Sequence, residues 1–438
     1  MPRETTGYIQ SVAYPDHFHS QQAPVHTAVV MAALGQATPG RQGTSWCEIG
    51  CGQGFTAILL ASVNPGMQFH GIDINPEHIR LARENARRAG LRNITFACED
   101  ISAGHAVAES YDFITCFGLL SWVSPQIRQA VYGYIARNLA ADGVATLHYM
   151  SDPGGAVLRC FHALFRSLKH RADPLEEGFA LLRRMRAAEA GFFRLYPAAG
   201  PALDALEAQP RAYLAHEYLN DDFWPLPFHE VAGAMEGHGL IWQGSAEPVE
   251  NIDALSVPEL ARAALEGEKD PVLRETLKDM ARNQAIRVDL FTRQRPALAP
   301  AQHFALLNGF LWGLVPGRAL PADGMLRSKI GPLQLDPALA GAVIAALQRG
   351  PQRFGDLMQS AAFRERPGLL NEYLQLLFTL GLIHPVFPGF DGDPARLLNR
   401  ALSGGGTAPP ALAAPAFATG LAPGSAPLSP ALRALLPL

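Results

Sequence analysis

The sequence predicts an α/β fold, a parallel sheet flanked by helices. Three observations carry this. Between residues 46 and 148, short apolar runs of strand length alternate with amphipathic segments of helix length. Such alternation implies right-handed crossovers and a parallel sheet. The first run ends in Glu48 and opens onto Ile49-Gly50-Cys51-Gly52-Gln53-Gly54, with a helix starting near Phe55. The second run, Gln68 to Ile72, ends in Asp73, so two carboxylates close successive strands. In open α/β sheets ligands sit at the carboxyl ends of the strands. Glu48, Asp73, Asp100 and Phe117 all fall at such ends.

Taken in order, residues 1–21 are polar and aromatic and read as an irregular lid, followed by a helix at 24–35. Strand 46–49 precedes helix 55–63, and strand 68–72 precedes helix 77–89. Pro76 starts that helix and Gly90 stops it. Strands at 94–98 and 112–117 follow. Helix 125–140 carries Ile127, Val131, Ile135 and Leu139 on one face, and strand 143–149 closes the set. Helical segments at 156–170 and 174–208 are too long for a crossover and read as an inserted cap; Phe161, Leu164, Phe165 and Leu168 share one face. A helix at 228–238 ends at Gly239, and strands at 240–246 and 286–292 bracket a helical stretch at 257–284. These two strands are expected to be the antiparallel pair ending the sheet. Residues 300–390 show three short apolar helices and a strand at 381–387, the pattern of a winged-helix-like module suited to protein docking or dimerisation. Residues 402–438 are mostly Ala, Pro, Gly and Ser with scattered Leu and with Arg433 as the one charge; such composition cannot bury enough apolar surface to order itself. The expected divisions are 1–150, 151–298, 299–395 and a disordered tail, 396–438.

A chain of 438 residues accommodates two or three domains. With 36 basic and 40 acidic residues the net charge is −4, which gives no bulk attraction to nucleic acid or anionic lipid. Five cysteines, at 47, 51, 98, 116 and 160, have no zinc-site spacing and no complete disulfide framework, so no metal is expected. No signal-like N-terminus and no membrane-length apolar run is present, so a cytoplasmic location is expected.

The glycine loop has the spacing G-x-G-x-G. A dinucleotide fingerprint needs its third glycine at 55, where Phe stands. Glycine tolerates positive φ, and its bare backbone lets a ligand lie directly on the loop. Glu48 can hold a cationic amine, and Asp73 suits the two hydroxyls of a ribose. Asp100 is placed to accept from an adenine amino group, with Ile101 packing on the ring. Phe117 and Gly118 sit where the far end of the ligand should lie. An adenosine without phosphates and with a positive centre matches this set, and S-adenosylmethionine is such a molecule.

Glu48 to Gly54 and Gly71-Ile72-Asp73-Ile74-Asn75-Pro76 resemble the first two motifs of class I methyltransferases. Gly118-Leu119-Leu120-Ser121-Trp122-Val123-Ser124 and Ala215-His216-Glu217-Tyr218-Leu219-Asn220 resemble bacterial members that carry a methyltransferase regulatory domain. Some of these methylate lysines of outer-membrane proteins. The resemblance spans residues 10 to 390 and implies a Rossmann-like class I methyltransferase sheet. It implies cofactor contacts at Tyr14, Glu48, Gly50, Cys51, Gly52, Gly54, Asp73, Ile74, Asp100, Ile101, Phe117 and Gly118. Tyr14 would cover the ligand, its hydroxyl reaching the carboxylate.

Methyl transfer is a direct displacement at a sulfonium, so alignment dominates and can supply roughly 7–11 kcal/mol. A lysine amine must first lose its proton, which an aromatic, desolvated pocket favours. Candidates are Trp122 as a wall, Tyr149 as an oxygen near the methyl, and His216-Glu217 as base and ammonium anchor. Ser121 and Asp152 are weaker ones. The acceptor expected is a protein lysine; a small metabolite and a non-catalytic binding scaffold are the alternatives. Intact Glu48, Gly50, Gly52 and Asp73 argue against the scaffold.

Overall fold

The computed structural model describes residues 18–40, 43–103, 110–315, 318–321, 323–328 and 330–387, with positions 395 and 398; the side chains of Ala212, His216 and Arg327 are outside that description. Tyr14 and the 402–438 stretch therefore lie outside the described residues.

After α1 (Pro24–Ala33), the chain alternates through β1 (Ser45–Ile49), α2 (Phe55–Val63), β2 (Gln68–Asp73), α3 (Pro76–Arg88), β3 (Ile94–Cys98), β4 (Tyr111–Cys116), α4 (Pro125–Asn138) and β5 (Leu139–Met150). Local signals account for the boundaries. The Asn75 side chain accepts from the backbone N–H groups of Glu77 and His78, Pro76 occupies the first turn, and Arg87 and Arg88 face the negative end of α3. Ser124 caps α4 in the same way through the Ile127 N–H.

Five helices follow: α5 (Ala156–Ser167), α6 (Pro174–Ala187), α7 (Gly191–Leu195), α8 (Ala199–Glu207) and α9 (Arg211–Tyr218). The stretch expected as one helix over 174–208 is thus three. Glu189 at φ 52° ends the first, since a left-handed residue cannot continue a right-handed helix. The chain continues through α10 (Phe228–Gly237), β6 (Ile241–Ser245), α11 (Asp253–Ser256), α12 (Glu259–Ala264), α13 (Pro271–Arg282) and β7 (Ile286–Thr292). Here the helical stretch expected at 257–284 is interrupted by Gly267 at φ 85° and restarted by Pro271, with Asp270 as its cap.

One seven-stranded sheet in the order β3-β2-β1-β4-β5-β7-β6 forms the centre of a mixed α/β, Rossmann-like fold. Strands β1 to β5 are parallel, and β7 runs antiparallel between β5 and β6. The two strands read from the sequence at 240–246 and 286–292 therefore do complete the sheet. Strand alternation divides the core into two layers. Trp46, Phe69, Phe96, Phe113 and Val144 join Ile58, Leu59 and Ala82 on one face. Cys47, Ile72, Ile114, Ala145, Leu147 and Tyr149 join Val131, Ile135, Val231 and Met235 on the other.

The remaining elements are α14 (Pro300–Gly309), β8 (Leu311–Leu314), β9 (Met325–Ser328), β10 (Gly331–Gln334), α15 (Pro337–Gln348), β11 (Gln352–Arg353), α16 (Phe354–Leu357), α17 (Pro367–Thr379) and β12 (Ile383–Pro385). β8 pairs with β11 and β12 in a three-stranded antiparallel sheet, and β9 with β10 in a hairpin. Helices α15, α16 and α17 bury Val343, Leu347, Phe354, Leu370 and Leu377 against Trp312 of β8 and Val29 of α1. Asn371 donates to Ala33 O at 3.0 Å and His303 Nε2 lies 2.8 Å from Ala32 O, so the last turn of α1 is held from both sides.

Candidate active site

The site is built at the carboxyl ends of β1, β2 and β4. Register places Glu48 beside Gly71 and Thr115, and Asp73 at the end of the next strand. Glu48, Thr115 and Phe117 share the sheet face of α1, as Trp46 and Phe113 do. Glu48 is only 6 % exposed, and its Oε2 is buried without a hydrogen-bond partner. Burial first, and the charge of Asp73 second, push its carboxyl from 4.5 to about 8, against hydrogen bonds from Gln22 and the Ala57 backbone. A buried carboxylate oxygen lacking a donor is costly, and a cation brought to it removes that cost. The amine of an amino-acid ligand is such a cation.

Asp73 ties the loop together. Its Oδ2 accepts the Gly52 N–H at 2.9 Å and its Oδ1 accepts the Asn75 N–H at 2.8 Å. His78 Nδ1 stands 3.6 Å from Oδ1, beyond hydrogen-bond reach. Each carboxylate oxygen keeps acceptor capacity for a further donor. Gly52 has φ 53°, and a Cβ there would meet no heavy atom within 4 Å. Gly54 has φ 76°, but a Cβ there would lie 2.5 Å from the Phe96 ring. Gly52 thus leaves room for a ligand, whereas Gly54 leaves room for the core. Gly50 closes on Leu119, Cys51 is buried beside Gly71, and Gly118 opens to free space at φ 64°.

The carboxyl end of β3 is more open. Asp100 is exposed, and its Oδ1 accepts from the Ser102 N–H and hydroxyl at 2.9 and 2.6 Å. Ile101 is half-buried, and Ile74 is 39 % exposed, a large apolar side chain left in water beside the second acid. Together these residues offer what a nucleoside without phosphates requires: an acid for the ribose, apolar faces for the base and a buried carboxylate for the amine. Among the described residues no group of three His, Cys, Asp or Glu could hold a metal ion.

Two residues absent from the sequence reading, Gln22 and His148, join the site, together with His19 from the 1–21 stretch. Gln22 is buried; its carbonyl accepts from Trp46 Nε1 at 3.1 Å, and its amide oxygen lies 3.5 Å from Thr115 Oγ1. His148 stacks on Phe117, with ring centroids 5.2 Å apart and planes 11° apart, and its Nδ1 accepts from the Gly118 N–H at 3.3 Å. His19 leans on both rings, at 5.3 and 5.4 Å. Gln22 carries no motif signal, but His148 was accessible from period-two alternation along β5.

That alternation corrects Tyr149. Its neighbour His148 faces Phe117, so Tyr149 points to the opposite layer, where it is fully buried and donates to Asp289 Oδ2 at 2.7 Å. Ser121 is also buried and structural: its Oγ accepts the Met150 N–H at 2.9 Å and its carbonyl the Trp224 N–H at 2.8 Å. Trp122 behaves differently. It sits on the short 3-10 turn Leu120–Trp122 after β4, with its indole N–H buried and unpartnered. Its ring meets Phe223 edge-on at 6.1 Å, and Phe223 lies 6.2 Å from Tyr218 and 5.2 Å from His162. Glu217 is buried, one residue before Tyr218 on α9; after burial, its charge is what pushes the Tyr213 hydroxyl up. So Trp122 joins Phe223, Tyr218 and His162 in one aromatic cluster, and Asp152 Oδ1 lies buried and unpartnered just past the end of β5. His216 lies on α9, its side chain outside the described residues.

Strand order, glycine loop and paired acids are those of an S-adenosylmethionine-dependent methyltransferase. The family model described as "Methyltransferase domain" matches residues 41–174, and that described as "Predicted methyltransferase regulatory domain" matches 210–293. A Synechocystis protein, uncharacterized, is 30 % identical over 390 residues, covering 86 % of this chain and 76 % of its own. A protein-L-isoaspartate O-methyltransferase of Methanococcoides burtonii is 30 % identical over 128 residues, 28 % of this chain and 61 % of its own. In fold, PKMT2 from Rickettsia typhi, solved in complex with AdoHcy, superposes with TM-score 0.66 at 18 % identity over 85 % of this chain and 77 % of that one. The chain belongs to the family of class I S-adenosylmethionine-dependent methyltransferases that carry a methyltransferase regulatory domain.

Proposed function

We propose that the chain transfers the methyl group of S-adenosylmethionine to a lysine side chain of a protein. The observation that carries this is the cluster of Trp122, Phe223 and Tyr218 with the buried carboxylate of Glu217, beyond the carboxyl ends of β4 and β5. Rings of this kind desolvate an incoming amine and lower its pKa, and the carboxylate draws the ammonium in. The likeness to PKMT2 in fold supports the same reading.

In this reading Glu48 receives the cofactor's ammonium, and the bare backbone at Gly50, Gly52 and Gly118 lies along it. Asp73 accepts from the ribose hydroxyls, Asp100 from the adenine amino group, and Ile74 and Ile101 flank the ring. When bound, S-adenosylmethionine supplies a methyl on an activated leaving group. The protein then aligns an amine with it and removes a proton, for which His216 is the candidate base. Tyr149 and Ser121 have no part in this chemistry.

The test is transfer of labelled methyl from S-adenosylmethionine into a cell lysate. Label is expected in the protein fraction, resistant to alkali and recovered as methyl-lysine. Label confined to the small-molecule fraction would instead support a small-molecule acceptor, a reading favoured by Leu158 of α5 packing over the Trp122–Phe223 pair.

Glu48 gives a second expectation. Its folded pKa is raised, so its contribution to stability is full below 4.5 and is lost as pH climbs through about 8. An ammonium beside it favours the carboxylate, so binding at about pH 7 expels a proton. Calorimetry of S-adenosylhomocysteine in buffers of different ionisation enthalpy should report release of close to one proton. Glu48→Gln should abolish that release; unchanged release in the variant removes Glu48 from the site.

We read residues 299–395 as a winged-helix-like unit for protein docking or homodimerisation rather than nucleic-acid binding. The supporting pattern is α15, α16 and α17 beside the β8-β11-β12 sheet. Residues 1–150 and 151–298 are read as cofactor core and cap, the latter lending β6 and β7 to the sheet. Among the described residues no helix is long and apolar enough to cross a membrane. A cytoplasmic site of action is part of the proposal.

A further inference from the structure

A cleft of about 530 Å³ lies between the last turns of α3 and β3, an edge strand of the sheet. Arg83, Ala86 and Arg87 line it from the helix, Leu91 and Arg92 from the turn that follows, and Ile94 from the start of the strand. It shares no residue with the set placed around Glu48 and Asp73. Its volume falls within the range of small-molecule sites, about 300–1,000 Å³.

The cleft is held by its own backbone. Gly90, at φ 69°, ends α3; the Leu91 N–H donates to Ala86 O at 3.1 Å and the Gly90 N–H to Arg87 O at 3.0 Å, the paired bonds of a Schellman turn. Two residues further on, Asn93 Nδ2 donates to the carbonyls of Ala61, Asn64 and Met67 at 3.1, 3.2 and 3.1 Å. Arg92 therefore stands between two fixed points. Arg83 donates from Nε and Nη2 to Phe96 O at 3.0 and 2.7 Å, which sets the plane of its guanidinium. That bond also covers an outward carbonyl of the edge strand, so it opposes addition of another strand there.

The charge in the cleft has one sign. Three of its lining residues are Arg and none is Asp or Glu. Arg80, one turn earlier on α3, is balanced by Glu77 at 2.7 Å and Glu84 at 3.2 Å. Among the described residues no ion pair reaches Arg83, Arg87 or Arg92. Arg83 and Arg87 are four residues apart on one helix face, a spacing at which like charges repel. The negative end of α3 offsets Arg87, but Arg92 lies beyond the helix. An anion among the three removes the repulsion, and the planar guanidinium fork matches a phosphate. Ala86, Leu91 and Ile94 give the same cleft an apolar wall.

We infer that this cleft binds an organic phosphate monoester, its phosphate held by Arg83, Arg87 and Arg92 and its apolar body against Ala86, Leu91 and Ile94. It is a site separate from the methyl-transfer centre. Its test uses the full chain saturated with S-adenosylhomocysteine, so that the Glu48 pocket cannot take the probe. Calorimetric titration with phenyl phosphate should show one saturable site. Phenol, which keeps the ring and loses the charge-assisted bonds, should bind at least about tenfold more weakly. Inorganic phosphate, which lacks the apolar body, should also bind more weakly. Arg87→Gln and Arg92→Gln should each weaken phenyl phosphate several-fold; both side chains are exposed, so either variant keeps the test readable if the other fails to fold. Phosphatidylcholine vesicles carrying phosphatidate identify the source of the phosphate: capture that Arg87→Gln abolishes traces it to a lipid, and no capture traces it to a soluble molecule. The inference is overturned by absence of saturable phenyl phosphate binding, by equal binding of phenol or of inorganic phosphate, or by unchanged affinity in the folded variants.

Discussion

Replacing Gly52 by Phe should leave a folded protein that no longer binds S-adenosylhomocysteine. The two halves of that expectation come from different observations. A Cβ at Gly52 meets no heavy atom within 4 Å, so the protein itself makes room. The backbone sits at φ 53°, where a non-glycine residue costs about 1–3 kcal/mol, a loss most folded proteins survive. The vacated space, though, lies on the loop between Glu48 and Asp73, and a phenyl ring would fill it. Loss of more than about 100-fold in affinity, near 2.8 kcal/mol, is expected by calorimetry. Gly54→Ala provides the contrast. Its added methyl would press on Phe96 at 2.5 Å and Ala82 at 3.0 Å, so about 1–3 kcal/mol of stability should go. If Gly52→Phe binds the ligand as tightly as the parent, the placement of the adenosyl group on this loop is wrong.

The same loop shows how far the sequence could be read. Glu48, the glycines and Asp73 were legible because each closes a short apolar run, and a parallel sheet carries every such end to one edge. Asp73 also bonds to Gly52 N, a link across the loop that no spacing rule announces. β5 was harder. It starts at Leu139, four residues before the expected 143, because Ala140-Ala141-Asp142-Gly143 looks like a turn and is instead an irregular stretch of strand with a register shift opposite Tyr111 and Phe113. Alternation along the strand sets His148 on the face of Phe117 and Tyr149 on the face of Asp289. Gln22 is illegible for another reason: it reaches the site from a segment with no periodic pattern, and only tertiary packing brings it to Thr115, as it brings His19 of the 1–21 stretch to Phe117. Strands β8, β9 and β10 of the C-terminal part went unread because runs of four residues next to Pro and Gly carry too little alternation to register.

Through Asp289, Tyr149 belongs to a buried ionic cluster between α13 and β7. Arg287 is 1 % exposed and grips Asp289 with two bonds, from Nε at 2.8 Å and Nη2 at 2.9 Å. Its Nη1 reaches Asp279 at 2.5 Å and its Nη2 reaches Glu275 at 3.2 Å, while its guanidinium carbon stands 4.1 Å over the Phe228 ring. Arg282 bonds Glu275 at 2.7 Å and Asp279 at 3.1 Å, and Lys278 lies 3.2 Å from Glu275. Tyr149 and Trp242 complete Asp289 from the sheet at 2.7 and 2.8 Å. A buried cluster of this kind is no guarantee of net stability, since desolvation opposes the Coulombic gain. Removing one member is a different matter, because the partners stay buried and lose their counter-charge. Arg287→Leu leaves Asp289 with two neutral donors and strips a cation from Asp279, whose carboxyl burial already pushes up to about 6. The expected cost is about 3–5 kcal/mol, read as an earlier midpoint in urea denaturation. Tyr149→Phe removes one hydrogen bond and should cost about 1 kcal/mol with kcat unchanged, which separates its structural place from a catalytic one. A loss below about 1 kcal/mol for Arg287→Leu would mean that water or a rearranged side chain replaces the guanidinium. The joint between β7 and the rest of the sheet would then rest on apolar packing, with Phe291 and Leu290 as its main contributors.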